Sequence, residues 1–534
     1  MPSLELVLKR NSVERLKRDK SPLGMLDELP ALIAAGYEQV DEDDVARLKW
    51  WGLYHDKPKI GTFMLRLKLP GGVVSPAGLR AIGEISNLHG RGAGELTTRQ
   101  NVQLHFIELG ALPDVFDRMR AAGLTSSGAC GDTVRNITGC PVAGLAHDEL
   151  FDVRPIVQEA AELFFGNPAY SNLPRKHKIA ITACVDACAA PEINCVGLIA
   201  ALRGEEEGFG VLVGGGLSSV PRVARELGIW VPKHEAVTVL AAILDEWQED
   251  LRYRVSRVKA RLKFLVDDIG PEGLRARVEQ RLGKAYDDFR LPSLPPAGNH
   301  LGVHAQIDGR FYVGVPVHLG LITGDQMIAL ADLLDGVGGD LRITRQQNIV
   351  LTNVAAAALE HVRARLDEIG LPLDAGTLRG DAVACTGEPH CNFSVTETKT
   401  RLDGLVSLLE ERLGTEADGL RMHLDGCPHA CAQHWVGDLG FQGTTVRDED
   451  GKRREAYDIY LRGSLDRPVA IARAVFRRVP TDELDDAVLG LVAGWVAGRV
   501  EGETFRSFCD RTPDDELGRL AGREPAVARQ REAA

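Results

Sequence analysis

Apolar residues alternate through FMLRLKL, with Phe63, Leu65, Leu67 and Leu69 on one side of an extended chain. A Pro-Gly-Gly turn follows, and the spacing then changes to the helical period in SPAGLRAIGEI. The same succession returns in YVGVPVHLGLITGDQMIALADLL, residues 312–334. Behind each copy stands a near-identical strand, LTTRQNVQL at 96–104 and ITRQQNIVL at 343–351. A second amphipathic helix closes each copy, LPDVFDRMRAAGL in the first and ALEHVRARLDEIGL in the second. The pattern predicts a small β-α-β-α half-domain used twice.

The likeness runs on beyond these units. ACGDTVRNITGCPVAG (129–144) aligns loosely with RGDAVACTGEPHCNFS (379–394), and KIAITACVDACAAPEINCVGL (178–198) with LRMHLDGCPHACAQHWVGDLG (420–440). Solenoid repeats recur every ~20–50 residues, far closer than these copies. Pseudo-twofold symmetry with a site between the halves is the expectation instead. Pro292, Pro295 and Pro296 mark the linker between copies, and the charged tail after Phe508 is expected to fray.

Composition narrows the class. A chain of 534 residues is too long for one core and divides into domains. Its 44% hydrophobic and 26% charged residues are those of an ordinary globular protein. A formal net charge of −13 argues against nucleic acid or an anionic membrane as the main partner, and no apolar run reaches the ~18 residues of a membrane span. The N-terminus MPSLELVLKRNSVERLKRDK has no apolar core or cleavage site and reads as a charged first helix, with Trp50 and Trp51 packing the arm onto the core. With ten cysteines, this indicates a reducing cytoplasm.

Four of those cysteines fall in two short loops, Cys385 and Cys391 in CTGEPHC and Cys427 and Cys431 in CPHAC. The gaps are wider than the C-x2-C knuckle of zinc, and they suit an iron–sulfur cluster held by four thiolates better than two pairs of buried free thiols. GGG at 214–216 lacks G-x-G-x-x-G spacing, so it predicts close backbone approach to a cofactor rather than a nucleotide site. Read singly, Arg66, Arg135, Lys176 and Lys178 would be solvent-facing or turn residues, and His304, His318 and His429 ordinary surface or core groups.

Taken together, CTGEPHC, CPHAC, the doubled TRQ strand, GDTVRN and LPRKHK resemble the sirohaem-dependent nitrite and sulfite reductases, from about Asn11 to Cys509. NSVERLKRDK, WWGLYHDKPKIGTFMLRLKLPGG and RNITGCPVAG are most similar to the ferredoxin-dependent nitrite reductases. The resemblance implies an α+β fold: two pseudo-twofold-related ferredoxin-like half-domains plus a larger α+β sirohaem/Fe–S domain. Its divisions would be an arm at 1–56, half-domains at 57–125 and 297–372, a sirohaem domain at 126–291, a cluster domain at 373–515 and a tail at 516–534.

The same resemblance implies six-electron reduction of nitrite to ammonia, with sulfite to sulfide as the alternative and a precorrin-3B synthase-like monooxygenase or an Fe–S sensor as more distant ones. It makes Cys385, Cys391, Cys427 and Cys431 the ligands of a [4Fe–4S] cluster, Cys431 being shared with sirohaem. Arg66, Arg135, Lys176 and Lys178 become substrate cations, and Arg99 and Gln103 contact the sirohaem side chains. Alignment sets Gly314 opposite Arg66 and Ala384 opposite Arg135, so the second copy lost cations and kept the cluster loops. Two residues depart from the nitrite pattern: Lys178, where nitrite reductases carry asparagine and sulfite reductases lysine, and His429, where asparagine is common. Cys184 and Cys188 keep the C-x3-C spacing, with Cys130, Cys140 and Cys195 in the same region. They read as a vestige of the duplication packing as small hydrophobes, the alternative being a second cluster. No flavin or nicotinamide segment is visible, so a monomer fed by ferredoxin through a local basic patch is expected.

Overall fold

A computed structural model of the chain describes residues 2–526, apart from 296, 297 and 389. The fold divides into two compact units. One comprises the residues up to Gly216 with Arg222–Leu373, and the other Leu217–Pro221 with the residues from Asp374 on. Pro292 and Pro295 of the expected linker lie inside the first unit, and Pro296 lies outside the described residues.

In the first copy the alternating pattern becomes β1 (Leu53–His55), β2 (Thr62–Arg66), β3 (Val73–Val74), β4 (Ala93–Leu96) and β5 (Val102–Glu108). Then come β6 (Thr138–Gly139), β7 (Ile179–Thr182), β8 (Val196–Arg203), β9 (Glu206–Val213) and β10 (Arg225–Pro232). The second copy repeats the first set as β11 (Gly302–Ala305), β12 (Phe311–Val315), β13 (Leu321–Thr323), β14 (Leu341–Ile343) and β15 (Ile349–Val354). It repeats the second set as β16 (Val383–Ala384), β17 (Met422–Asp425), β18 (Leu439–Arg447), β19 (Arg453–Leu461) and β20 (Arg473–Pro480).

The two half-domains exchange edge strands. One sheet runs β1-β2-β5-β4-β13 and the other β11-β12-β15-β14-β3, so each takes its fifth strand from the other copy. The helices Pro76–His89 and Gly324–Val337 pack together, started by a Ser75 cap with Pro76 and by a Thr323/Gln326 capping box. Gly83 permits that approach, since a Cβ there would stand 2.7 Å from the Gly324 carbonyl oxygen. Their apolar faces join one core that includes Phe63, Leu65, Ile82, Leu104, Met327, Leu330 and Leu351.

The remaining two sheets are topological twins, β10-β9-β8-β7-β6 and β16-β17-β18-β19-β20, each parallel across three strands and antiparallel beyond. Their register corrects one alignment. Gly139 pairs with Ile181, and Ala384 with Leu424. Ile179 opposes Val196 as Met422 opposes Leu439. Ala384 therefore corresponds to Gly139, not to Arg135, and Cys385 corresponds to Cys140. By contrast Arg66↔Gln103 and Gly314↔Val350 are equivalent pairs, as the alignment of Gly314 with Arg66 requires.

The N-terminal arm is four short helices between Leu4 and Leu48, tied down by Trp50, whose indole donates to the Ser171 carbonyl at 2.7 Å. At the other end Phe505–Arg511 and Asp514–Leu520 are helical, with Phe508, Cys509 and Leu517 buried; residues 527–534 lie outside the described residues. No helix among the described residues is long and apolar enough to cross a membrane.

Candidate functional site

In the first unit, short-range pairing gathers the expected cations around the loop 126–136. Val134 bridges His177 in parallel, which sets Arg135 beside Lys176 and Lys178, both half-buried. Arg66, at the end of β2, donates through Nε to Gln103 Oε1 at 2.8 Å and lies 3.6 Å from Cys130 Sγ through Nη1. Gln103 in turn donates to Glu95 at 2.9 Å, so both ends of its amide meet protein groups. Arg135 is buried and donates to the Ala129 and Gly131 carbonyls at 2.6 and 2.8 Å. Arg99 reaches Asn194 Oδ1 at 2.8 Å and the Asn136 and Ile179 carbonyls.

Further cations that the sequence pattern did not mark lie in the same unit. Lys68 is 2% exposed and donates to the Val134 carbonyl at 2.8 Å, with its ammonium over the Phe165 ring. Burial, then Arg135, pushes its pKa well down. Arg261 meets Cys195 Sγ at 3.0 Å, and burial with Arg261 lowers Lys263 to about 8. Asp132 takes Arg175, Arg257 and Lys17 at 3.2, 3.0 and 3.9 Å. A lysine in an alternating strand reads as solvent-facing, so nothing in the local pattern marks Lys68.

The balance of charge is the decisive property. Lys68, Arg99, Arg135 and Arg261 direct their donors to carbonyls, an amide and a thiol rather than to carboxylates. The buried Nε atoms of Arg99, Arg135 and Arg261 have no hydrogen-bond partner among the described residues. His177 lies buried among them, driven to about 3 by burial and then by Arg261 and Arg99, and is neutral. Buried cations without counter-charge are costly unless an anion joins them. This donor set fits a polycarboxylate tetrapyrrole and a small oxyanion. The three glycines 214–216, by contrast, admit protein: a Cβ on Gly215 would stand 2.4 Å from the Asn194 oxygen, and one on Gly216 2.7 Å from Arg261.

In the second unit, CTGEPHC follows β16 and CPHAC follows β17, neighbouring parallel strands that bring the loops together. The Cys385 thiol lies within electrostatic reach of Cys431 and Cys427, and Cys427 within that of Cys431 and Cys391. Burial pushes Cys385 well up and Cys427 to about 12, so without a metal these thiols keep their protons, and a bound metal would displace those protons to solvent. Gly426 N donates to Cys385 Sγ at 3.4 Å, and His429 Nδ1 stands 3.4 Å from Cys427 Sγ. Buried Asp425 holds the second loop by accepting from Ala432 N at 2.7 Å, His434 N at 3.2 Å and His434 Nδ1 at 2.9 Å. Cys427 is buried, Cys385 and Cys391 half-buried, and Cys431 exposed. The set suits a four-thiolate cluster.

Comparison with known proteins gives the family. Residues 130–286 match the family model described as nitrite and sulphite reductase 4Fe-4S domain, and residues 55–122 and 304–369 the nitrite/sulfite reductase ferredoxin-like half domain. An assimilatory ferredoxin-dependent nitrite reductase of Haloferax mediterranei is 35% identical over 94% of this chain and 92% of its own. The chain belongs to the nitrite and sulfite reductase family. A ferredoxin sulfite reductase of Mycolicibacterium paratuberculosis is likewise 35% identical, over 95% of this chain and 96% of its own. The solved NirA protein of Mycobacterium tuberculosis superposes with a TM-score of 0.90 at 33% identity, covering 95% of this chain and 97% of that one. The cofactors of this oxidoreductase family are a [4Fe–4S] cluster and sirohaem.

Proposed function

We propose that this protein reduces nitrite to ammonia with six electrons from ferredoxin, and that the second ammonium, Lys178, lets the same pocket take sulfite to sulfide. The observation that carries the reading is the set of buried cations in the first unit that lack carboxylate partners. Bound sirohaem supplies the iron at which the oxyanion is reduced, and the cluster supplies the electrons one at a time. Cys385, Cys391, Cys427 and Cys431 would hold the cluster, with Cys431, the exposed one, as the shared ligand. Arg99 would neutralise cofactor carboxylates, while Gln103 holds the fork of Arg66 in place.

Arg66 and Arg135 present fixed guanidinium donors to the substrate, and Lys176 and Lys178 mobile ammonium groups that can also pass protons. A doubly charged oxyanion gains more from a second ammonium than a singly charged one, which is why Lys178 favours sulfite. Steady-state turnover of nitrite and of sulfite with one reduced ferredoxin tests this, through kcat/KM for each. Both substrates are expected to turn over. Lys178→Asn should lower sulfite kcat/KM ~10-fold or more beyond its effect on nitrite. Equal losses would remove Lys178 from specificity, and activity with neither anion would remove the reading.

A further inference from the structure

Three cysteines of the first unit occupy the positions that the cluster cysteines occupy in the second. The sheet registers make Cys140 the counterpart of Cys385, and the matched loops make Cys184 and Cys188 the counterparts of Cys427 and Cys431. Cys391 has no cysteine counterpart. In its stead a histidine arrives from the segment before β11. Cys140 Sγ, Cys188 Sγ and a ring nitrogen of His300 all lie within 4.8 Å of one another. Cys184 Sγ stands 3.9 Å from Cys188 Sγ, and Cys140 makes thiol contacts with both.

We propose that Cys140, Cys184, Cys188 and His300 bind a zinc ion that staples the segment ahead of β11 to the loops after β6 and β7. The separations choose the metal. Four tetrahedral ligands at Zn–S ≈ 2.3 Å put sulfur atoms about 3.8 Å apart, close to the 3.9 Å found. A disulfide would need about 2.05 Å, and the thiolates of a four-iron cluster bind four different irons and stand further apart.

Burial and charge agree. The three cysteines are 3–4% exposed, and His300 Nε2 is buried with no hydrogen-bond partner among the described residues. A buried, unsatisfied imidazole nitrogen on a histidine grouped with the Cys140 and Cys188 thiols is suited to ligating a metal. Three thiolates, one neutral imidazole and Zn²⁺ carry one net negative charge, and Arg345 lies within electrostatic reach of Cys188 to balance it. Tyr312 covers the site, with its ring 6.4 Å from that of His300.

The backbone is arranged for this meeting. Ala187 and His300 hold left-handed conformations, φ 45° and 60°, which bend CVDAC into a tight loop and turn His300 inward. Arg342 of β14 holds the Cys140 loop by donating to the Pro141 and Ala143 carbonyls at 3.2 and 2.6 Å. Gly314, which stands where the first copy has Arg66, makes room for the histidine: a Cβ there would lie 1.7 Å from the His300 carbonyl oxygen. The position that lost a substrate cation thus gained the seat of a zinc ligand. Cys140, Cys188 and His300 already lie within 4.8 Å of one another, and Cys184, in contact with the two thiols, would close the tetrahedron on binding; with four protein ligands the ion would be structural rather than catalytic.

Metal analysis of the purified holoprotein tests the site. The expected result is about one zinc per chain beside the iron, with three sulfur and one nitrogen neighbours in Zn-edge X-ray absorption. Cys188→Ala and His300→Ala should each lose the zinc while keeping the iron content and the visible spectrum. Holoprotein without zinc, a second cluster's worth of iron at these cysteines, a Cys184–Cys188 disulfide, or zinc retained in both variants would overturn the proposal. The wild-type measurement stands even if a variant fails to fold, and it is independent of which oxyanion the enzyme reduces.

Discussion

His105 lies on β5, two residues beyond Gln103, with Asp56 Oδ1 at 2.8 Å from its Nδ1 and Glu95 Oε2 at 3.5 Å from its Nε2. Burial alone would lower its pKa, but the hydrogen bond to Asp56 and the nearby Glu95 carboxylate more than offset that and raise it to about 9. A raised folded-state pKa stabilises the fold fully below the unfolded value of ~6.5 and loses that contribution as pH rises through 9. Denaturant unfolding should therefore show ~2–3 kcal/mol of stability lost between pH 6.5 and 9, and His105→Gln should flatten that slope. An unchanged slope in the variant would assign the loss to other groups. Glu95 also accepts from Gln103, which holds Arg66, so loss of the His105 charge should reach the proposed substrate cation Arg66. At this scale the grouping of Cys385, Cys391, Cys427 and Cys431 was legible because their spacing is written in the covalent chain. Lys68, Arg261 and His105 were not, because distant segments supply the neighbours that give them meaning.

The loops that carry Cys385, Cys391, Cys427 and Cys431 are shaped by two glycines. A Cβ on Gly426 would stand 1.8 Å from Ser394 Oγ, and one on Gly387 would stand 2.1 Å from Thr398 Oγ1, the hydroxyl that donates to the Cys385 carbonyl at 2.7 Å. Gly426→Ala should cost ~1–3 kcal/mol by overpacking and lower iron per chain as Cys385 and Cys427 are spread. Pairing it with Ser394→Ala removes the clashing hydroxyl and should restore part of both. Thermal melting with iron assay checks this, and full iron in the single variant would show the loops to be more yielding than drawn here. Much of the element order was legible in advance, because alternating and helical periods recur in matched order in both copies. The strand exchange was not. β3 and β13 span two and three residues, too few to carry a period, and their partners are chosen by the packing of the paired helices.

Across the whole molecule, the formal charge of −13 coexists with a first unit whose interior is cationic. A net negative charge does nothing to recruit an acidic electron carrier; at low salt it repels one. Ferredoxin can serve as donor at useful rates only if a local basic area near the electron entrance outweighs that repulsion over a Debye length, ~30 Å at 0.01 M salt and ~10 Å at 0.1 M. The sign of the salt effect separates the two cases. If local attraction governs encounter, the second-order rate constant with reduced ferredoxin should fall ~10-fold or more between 0.01 and 0.3 M salt. If the net charge governs, it should rise. Stopped-flow mixing across that range, with a small uncharged reductant as control, makes the measurement. A rising profile would mean that net-charge repulsion governs encounter, and a flat one that docking is not electrostatic; either would withdraw the basic area, while the cation set around Arg66 and Arg135, proposed to act on the substrate, would stand.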